Sequence, residues 1–431
     1  MSTSLRFKPV DRDAVTRHAV ERRGFVNVPL DYASTGQPDT IDIFYRVLPA
    51  HDSTAHDATK PFIVVINGGP GISSSFYRPL DFDYSPGAPP PPGLDRFKYL
   101  LHTHRVVLVD QRGTDGQSAP LDMDDPALDP ALVGRLFSSD SVARDVGAVI
   151  DHLIPPGDRF FIIAQSYGGL PGMQYLARPE LRQPHGIVFS SSALPFEDPF
   201  VNMRHRRREQ LRLNLELRQV VPDIATRLDK VRAHCAAVGV DPGIVHGLYT
   251  LLGKGVPGVW EPGLVTRLDT ILGQSKEQIL ADVEAGLENP SLLNYILSSV
   301  NFTPGQTDRT LAAQGSREIP FEPWMIDEHE MLMSTGQDGT WRQALVEAID
   351  RAPPPPTPFP SLEVLRRGIA NTQALFTPAE NDAFVPGDAY REVVAGFEVP
   401  GHTQVRLLPG GHNAIFLEKG CEAFLEWSRS I

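Results

Sequence analysis

The chain has 431 residues, of which 41% are hydrophobic and 22% are charged, values that are ordinary for a globular protein. That length suits one large domain with an insertion, or two domains. Lys and Arg number 40 against 53 Asp and Glu, and the resulting net charge of −13 argues against a nucleic-acid partner.

Neither the N-terminal residues nor any later segment predicts passage into a membrane. Residues 1–15 lack the apolar core of a signal peptide, and no run of about 18 apolar residues occurs. The cysteines, Cys235 and Cys421, lie far apart, which suits two unpaired thiols in a reducing compartment better than a disulfide. We therefore expect a cytoplasmic protein with no membrane partner.

The first half of the chain reads as strands alternating with helices. Residues 24–48 alternate apolar and polar positions around a Gly/Pro/Asp turn, which predicts antiparallel strands. The helix-length segment 138–153 lies among short apolar runs that are typical of buried strands. These runs are 62–66, 105–109, 159–163 and 186–190. The pattern predicts the α/β class with a largely parallel sheet.

From about residue 196 the strand-like runs disappear and amphipathic helical segments replace them, at 203–237, 274–286 and 341–350. The proline-rich residues 351–361 close this block, and strand-then-loop units follow. The pattern predicts an α/β core interrupted by a mainly helical cap. We place the first part of the core at 1–195, the cap at 196–360 and the second part of the core at 361–431.

A basic run, "RHRRR" at 204–208, adjoins one of the amphipathic helices of the cap. Such a run can form a binding patch. Because it lies next to an amphipathic helix in an acidic protein, we expect a solvated helix face instead.

A serine, Ser166, follows the predicted strand at 159–163 in a short turn. Ser166 lies in Ala-Gln-Ser-Tyr-Gly (164–168), which is close to the G-x-S-x-G nucleophile elbow. That turn needs small residues two before and two after the serine, and here Ala164 replaces the first glycine. A serine after a strand can also be a helix N-cap, so the interpretation depends on its partners. Pro171 is compatible with the following helix only within its first turn.

A serine nucleophile needs a general base and a group that orients the base. Asp382 follows the predicted strand "TQALF" and His412 follows the predicted strand "QVRLL" (404–408), and 30 residues between them accommodate one helix and one strand. The order Ser, Asp, His is that of the α/β-hydrolases. We therefore predict Ser166, Asp382 and His412 as the catalytic residues.

Other acids and another histidine compete for these roles. Glu380 and Asp388 flank Asp382, but Asp388 lies beyond Pro386 at a predicted helix start, where N-capping is its ordinary role. His402 precedes the last strand and therefore belongs to the opposite end of the sheet.

Backbone N–H groups must also stabilise the oxyanion of the reaction. One donor is expected from Tyr167, the residue after the nucleophile, and another from the glycine-rich loop in "VVINGGPGISSS" (64–75). A phosphate-binding role for this loop is disfavoured, since it lacks the Walker Gly-Lys-Ser/Thr and the G-x-G-x-x-G spacing. The histidines show no metal-ligand spacing, so we expect no metal and no cofactor.

Five segments resemble the signature set of the proline iminopeptidases, also called prolyl aminopeptidases, which are serine peptidases of the α/β-hydrolase fold. The segments are "NGGPG" (67–71), "DQRGTDGQS" (110–118), "AQSYGG" (164–169), "ENDAFVP" (380–386) and "GGHN" (410–413). "VPLDY" (28–32) and "PWM" (323–325) are similar to motifs of the larger branch of that family. The resemblance implies an α/β-hydrolase fold with an inserted helical cap.

The resemblance further implies that Ser166 attacks the carbonyl of an N-terminal residue, preferably proline. His412 would transfer the proton, Asp382 would orient the imidazole, and the backbone N–H groups of Gly69 and Tyr167 would bind the oxyanion. The expected partner is a small peptide or aminoacyl substrate. The sequence gives no indication of the oligomeric state.

In the same family, cap glutamates pair with the free α-amino group of the substrate. Here Glu318 and Glu322 are the candidates, with Trp324 of "PWM" as a further substrate-binding residue, although solvated carboxylates are the alternative for both glutamates. The chain differs from the motifs of that family at two other positions. Asn67 replaces the histidine that usually precedes "GGPG", and an extra residue lies near Asp115.

Two other functions remain open on the sequence. An esterase, amidase or biosynthetic tailoring hydrolase could keep this catalytic core with a changed cap. A non-catalytic binding protein on the same scaffold is disfavoured, because such proteins usually lose a triad residue and all three are present here.

Overall fold

The structure, a computed structural model, describes most of the chain. The described residues are 5–18, 20–36, 38–49, 59–77, 97–114, 117–253, 260–285, 292–301, 319–328, 330 and 341–431. Among them, no helix is both long and apolar enough to cross a bilayer.

Eight strands occur among the described residues and form one sheet. They are β1 (Arg22–Pro29), β2 (Thr40–Val47), β3 (Phe62–Ile66), β4 (Arg105–Val109), β5 (Phe160–Gln165), β6 (Gly186–Ser190), β7 (Ala374–Thr377) and β8 (Thr403–Val405). Their order is β1-β2-β4-β3-β5-β6-β7-β8. β2 pairs antiparallel with β1 and β4, whereas the remaining neighbours are parallel. The predicted mostly parallel α/β sheet is thus confirmed.

The helices that accompany the sheet precede, separate or follow its strands. They are α1 (Arg12–Thr16), α2 (Lys98–Leu101), α3 (Pro130–Leu136), α4 (Ser139–Leu153) and α5 (Gly169–Leu176), and, later in the chain, α12 (Leu362–Ala370), α13 (Gly387–Ala395) and α14 (Glu418–Ser430). Between β6 and α12 the described elements are helical. They are α6 (Pro199–Val220), α7 (Ile224–Val238), α8 (Trp260–Ile271), α9 (Lys276–Ala285), α10 (Leu292–Asn301) and α11 (Trp341–Arg351), with a 3₁₀ segment at Pro242–Leu251.

The apolar runs are continuous because both faces of the sheet are covered. In β5, Phe160, Ile162 and Ala164 pack into the core on the side of α4 and α5. Phe161 and Ile163 pack into the core on the side of α14. Successive side chains of a strand point to opposite faces, so a strand buried on both sides needs apolar residues at every position. The strand ends are therefore the places where polar side chains can be presented.

The predicted helical segment 203–237 forms two helices rather than one. Helix α6 ends where Val221 N–H donates to Leu217 O at 2.8 Å, and Pro222 follows. Proline has no N–H for the next helical bond, and its ring clashes with the preceding turn, so the helix stops there. Helix α7 then ends at Gly239, whose φ of +78° is readily adopted by glycine.

The basic run at 204–208 lies on α6, and the expected solvated face is wrong for Arg207, whereas Arg206 is partly exposed. Arg207 is buried, and its Nη1 lies 2.8 Å from Asp327 Oδ1. Arg206 pairs with the buried Glu328. Buried charges are tolerated when they are paired, so these residues fasten α6 to the segment at 327–328 within the cap.

Candidate functional site

Ser166 occupies a strained turn at the carboxyl end of β5. Its φ of +54° is unfavourable for a residue with a side chain, and such strain is concentrated at functional positions. From Phe160 to Leu176, Ser166 is partly exposed while the remaining residues are buried. The tight turn thus brings one hydroxyl to the surface of an otherwise buried segment.

The residues after Ser166 make this turn possible. A Cβ on Gly168 would overlap the Ile66 carbonyl oxygen, and one on Gly169 would overlap that of Ala193. Glycine is required at both positions because strand and helix backbones approach closely here. Pro171 lies in the first turn of α5, where a missing N–H is tolerated.

Asp382 and His412 contact each other on the loops that follow β7 and β8. The Asp382 oxygens lie 2.9 and 3.0 Å from His412 Nδ1. The Asp382 side chain is fully buried, and its Oδ1 also accepts from the backbone N–H groups of Phe384 and Val385 at 2.9 and 3.0 Å. A carboxylate can only accept, so Nδ1 carries the hydrogen and Nε2 keeps its lone pair. This is the tautomer that a general base needs.

The competing residues of the sequence lie elsewhere. Asp388 is exposed and pairs with Arg391 in the first turn of α13. Glu380 is also exposed. His402 precedes β8, and its Nδ1 lies 2.8 Å from Thr372 O. Of the three acids, Asp382 is therefore the one that contacts His412.

The loop after β3 lies against the nucleophile. A Cβ on Gly68 would overlap Gln165 Oε1 and stand 2.7 Å from Ser166 Cβ. Gly69 has a φ of +72°. Its N–H donates to no acceptor among the residues that the structure describes. Asn67 donates through Nδ2 to the carbonyls of Gly68 and Ile72, at 3.1 and 2.7 Å, and so closes the loop on itself.

The "DQR" residues after β4 hold the glycine-rich loop through hydrogen bonds. Asp110 Oδ1 accepts from Ser74 N–H at 2.8 Å. Gln111 Oε1 accepts from Gly71 N–H at 2.9 Å, and its Nε2 donates to Gly69 O at 3.0 Å. Both side chains are buried. The "DQR" residues thus hold the glycine-rich loop in place, a role that the sequence motif alone did not reveal.

The third residue of this motif, Arg112, anchors the support to the core. Its guanidinium donates to both Asp145 oxygens, at 2.6 and 2.7 Å, and to the carbonyls of Leu30 and Leu136, each at 2.8 Å. Arg112 and Asp145 are both buried. A buried bidentate ion pair of this kind is costly to break, because either partner alone would be an uncompensated charge.

Two helices of the segment between β6 and α12 contact loops of the candidate site. Arg212 on α6 donates to Asn381 Oδ1 at 2.8 Å, next to Asp382. Asn294 on α10 donates to Pro70 O at 2.8 Å, in the glycine-rich loop. The cap therefore reaches both sides of the sheet edge at which Ser166 lies.

Trp324 and Glu322, two of the predicted substrate-binding residues, contact each other but differ in exposure. Trp324 is buried in the same apolar cluster as Ala383, the neighbour of Asp382. Its Nε1 donates to Glu322 Oε2 at 2.6 Å, and Glu322 is exposed and lies 3.3 Å from Arg218. Glu318 lies outside the described residues, as does Asp115.

A half-buried carboxyl lies between β6 and α6, on Glu197. Glu197 accepts from Leu194 N–H at 3.0 Å and from Asn202 Nδ2 at 2.8 Å. It lines a cavity of about 40 Å³ together with Val385, which lies in the loop that carries Asp382. Burial raises the pKa of Glu197 to about 7, although these hydrogen bonds and the charge of Arg206 oppose the shift. Sequence reasoning missed this residue, since no motif surrounds it.

Among the described residues, no group of three or more His, Cys, Asp and Glu side chains is arranged to hold a metal ion. Cys235 and Cys421 are both unpaired and buried.

Comparison with known proteins bears on the fold. Residues 61–237 match a protein family described as the alpha/beta hydrolase fold. No curated protein matches the sequence of this chain. Among solved structures, a bromoperoxidase from Bacillus anthracis is 12% identical, with 94% of this chain and 100% of that chain covered and a TM-score of 0.42.

Two further solved structures match at similar levels. Naproxen esterase from Bacillus subtilis is 12% identical, with 95% of this chain and 91% of that chain covered and a TM-score of 0.40. A haloalkane dehalogenase loop variant from Bradyrhizobium elkanii is 14% identical, with coverages of 95% and 97% and a TM-score of 0.40. At these identities and TM-scores, nothing about the activity of this chain follows from the three structures.

Proposed function

We propose that this chain, which has the α/β-hydrolase fold, is a serine hydrolase that works through an acyl-enzyme. The observation that carries the proposal is the buried contact of Asp382 with His412 Nδ1, at 2.9 and 3.0 Å. It lies at the same sheet edge as the strained, partly exposed Ser166. The family match over residues 61–237 supports hydrolase chemistry in general.

In the proposed reaction, Ser166 Oγ attacks the acyl carbon of the substrate while His412 Nε2 takes the hydroxyl proton. The carbonyl oxygen becomes an oxyanion, which the N–H groups of Gly69 and Tyr167 stabilise. His412 then gives its proton to the leaving group, and an ester to Ser166 remains. Water, deprotonated by His412, hydrolyses this ester and restores the serine. Asp382 stabilises the imidazolium in both halves of the cycle.

Within this chemistry, we propose that the substrate is a peptide and that the enzyme releases its N-terminal residue, preferably proline. The support is the five motifs shared with the prolyl aminopeptidases, three of which lie at Ser166, Asp382 and His412. The cap would have to supply a carboxylate for the free amine. A charge pair in a closed, poorly hydrated pocket would favour substrates with that amine over blocked ones.

One observation favours a second candidate, an esterase or amidase without a requirement for a free amine. Of the two glutamates expected to bind the amine, Glu322 is exposed and lies near Arg218 and Trp324. A carboxylate that is solvated and already engaged by a cation would bind an amine weakly.

A substrate panel separates these functions. L-proline arylamide, its N-acetylated form and a simple acyl aryl ester are offered to the wild type and to Ser166→Ala. An aminopeptidase hydrolyses the first and not the second, and Ser166→Ala loses the activity while keeping its fold. Equal rates on free and blocked amines, or hydrolysis of the ester alone, would contradict the aminopeptidase assignment and support the second candidate. An inactive wild type on all three, or an active Ser166→Ala, would contradict serine hydrolysis.

A further inference from the structure

We infer that Tyr77 is a positioning residue of the site. Its hydroxyl connects the glycine-rich loop after β3 to the end of β5 and, through Gln165, to the loop that carries His412. The inference rests on the proposed serine-hydrolase chemistry and concerns a residue that belongs to none of the sequence motifs. Tyr77 lies just after the 3₁₀ turn Ser74–Phe76 and is buried.

The hydroxyl of Tyr77 makes two hydrogen bonds of different direction. It accepts from Gly68 N–H at 2.9 Å and donates to Gln165 Oε1 at 2.5 Å. The first bond occupies the Gly68 amide, so Gly69 supplies the loop N–H that is left for an oxyanion. The second bond ties the same hydroxyl to the residue before Ser166.

The Gln165 side chain extends this connection to the base. Its Nε2 donates to His412 O at 3.1 Å. The direction of the amide is determined by its neighbours, because reversing it would place Oε1 against the His412 carbonyl oxygen, and two acceptors repel. The Tyr77 hydroxyl keeps Oε1 on its own side and thereby keeps Nε2 on the histidine.

The ring of Tyr77 is fixed by aromatic neighbours. Its centroid lies 5.4 Å from that of Phe416 and 6.1 Å from that of Phe97, both in edge-on arrangements. Phe416 follows His412 in the short 3₁₀ turn Ala414–Phe416. The ring therefore packs against the histidine loop while the hydroxyl reaches the other two segments.

A substitution can distinguish the packing role of the Tyr77 ring from the positioning role of its hydroxyl. In Tyr77→Phe the ring and its aromatic contacts are kept, and the two hydroxyl bonds are lost. Tyr175→Phe is a matched control, because Tyr175 is also buried and its hydroxyl donates to Arg182 O at 2.6 Å, on α5 and the loop that follows it.

The experiment measures kcat, KM and the melting temperature of wild type and both variants, on whichever substrate of the panel the wild type hydrolyses. We expect Tyr77→Phe to lower kcat about 10- to 100-fold with KM within about threefold, since small displacements of reacting groups act on the transition state. The affinity for an aryl boronic acid, which mimics the tetrahedral intermediate, should fall by a similar factor. Tyr175→Phe should keep the wild-type kcat and boronate affinity.

A second variant keeps the test decisive if Tyr77→Phe is poorly folded. Gln165→Met removes the other end of the connection, and by itself it should lower kcat and boronate affinity as Tyr77→Phe does. Where Tyr77→Phe folds, the double variant should be no slower than the slower single one, because both act as one unit. An active wild type with Tyr77→Phe equal to Tyr175→Phe in kcat and boronate affinity would overturn the inference alone. A wild type inactive on the whole panel would overturn the proposed function, and the inference with it.

Discussion

Gly68 offers a sharp test of whether the loop after β3 acts in catalysis. In Gly68→Ala the new Cβ would overlap Gln165 Oε1 and stand 2.7 Å from Ser166 Cβ, whereas ordinary contacts begin at 3.4 Å. To relieve the second contact alone, the loop or Ser166 must retreat by about 0.7 Å, and the Gly69 N–H moves with the loop. A displacement approaching 1 Å in an oxyanion donor predicts a loss of about 10- to 100-fold in kcat.

The assay is steady-state hydrolysis of the best substrate in the panel, with thermal melting of each variant. KM should stay within about threefold, because the donor acts on the oxyanion that forms only in the transition state. Gly263→Ala is the matched control, since a Cβ at this position of α8 meets nothing within 4 Å. A folded Gly68→Ala with the kcat of Gly263→Ala would refute the placement of an oxyanion donor in this loop.

Three further predictions concern buried charges. Asp382→Asn should keep its fold but lose about 10³- to 10⁴-fold in kcat, measured against wild type, because an amide no longer holds His412 in the productive tautomer; a loss below tenfold would contradict the assigned role. Glu197 has a folded-state pKa of about 7 against an ordinary 4.5, so the wild type should lose about 3 kcal/mol of stability as the pH rises from 4.5 through 7. Urea unfolding at pH 5 and pH 8 should therefore show Glu197→Gln gaining on wild type at pH 8, and a stability difference between the two proteins that does not change with pH would refute the raised pKa. Arg112→Lys should cost about 3–5 kcal/mol in urea unfolding, because lysine cannot reproduce the bidentate pair and the carbonyl contacts; a loss below 1 kcal/mol would contradict that account.

The parts of the site that follow strands could be predicted from sequence. Ser166, Asp382 and His412 each lie in the turn or loop that follows an apolar run, and the carboxyl ends of parallel strands meet at one edge of a sheet. The residues next to each position were therefore enough for the prediction: small residues lie around Ser166, and two glycines precede His412. The structure places Asp382 in contact with His412, and the catalytic roles of both residues stay predictions.

Residues whose role depends on distant partners could not be predicted. Tyr77 follows a turn with no catalytic motif, and its hydroxyl matters only because the fold brings Gly68 and Gln165 to it. The inward direction of Arg207 likewise depends on Asp327, 120 residues later. Helical periodicity records which face is polar, but not whether a paired acid lies buried beneath it.

We propose that Ser166 is a nucleophile activated by its neighbours. A fluorophosphonate reacts covalently with activated serines, so mass spectrometry of the labelled and digested protein tests the claim without knowledge of the natural substrate. We expect one phosphonylated peptide, modified at Ser166, absent from Ser166→Ala and strongly reduced in Asp382→Asn. Labelling at another serine, or equal labelling of wild type and Ser166→Ala, would contradict it.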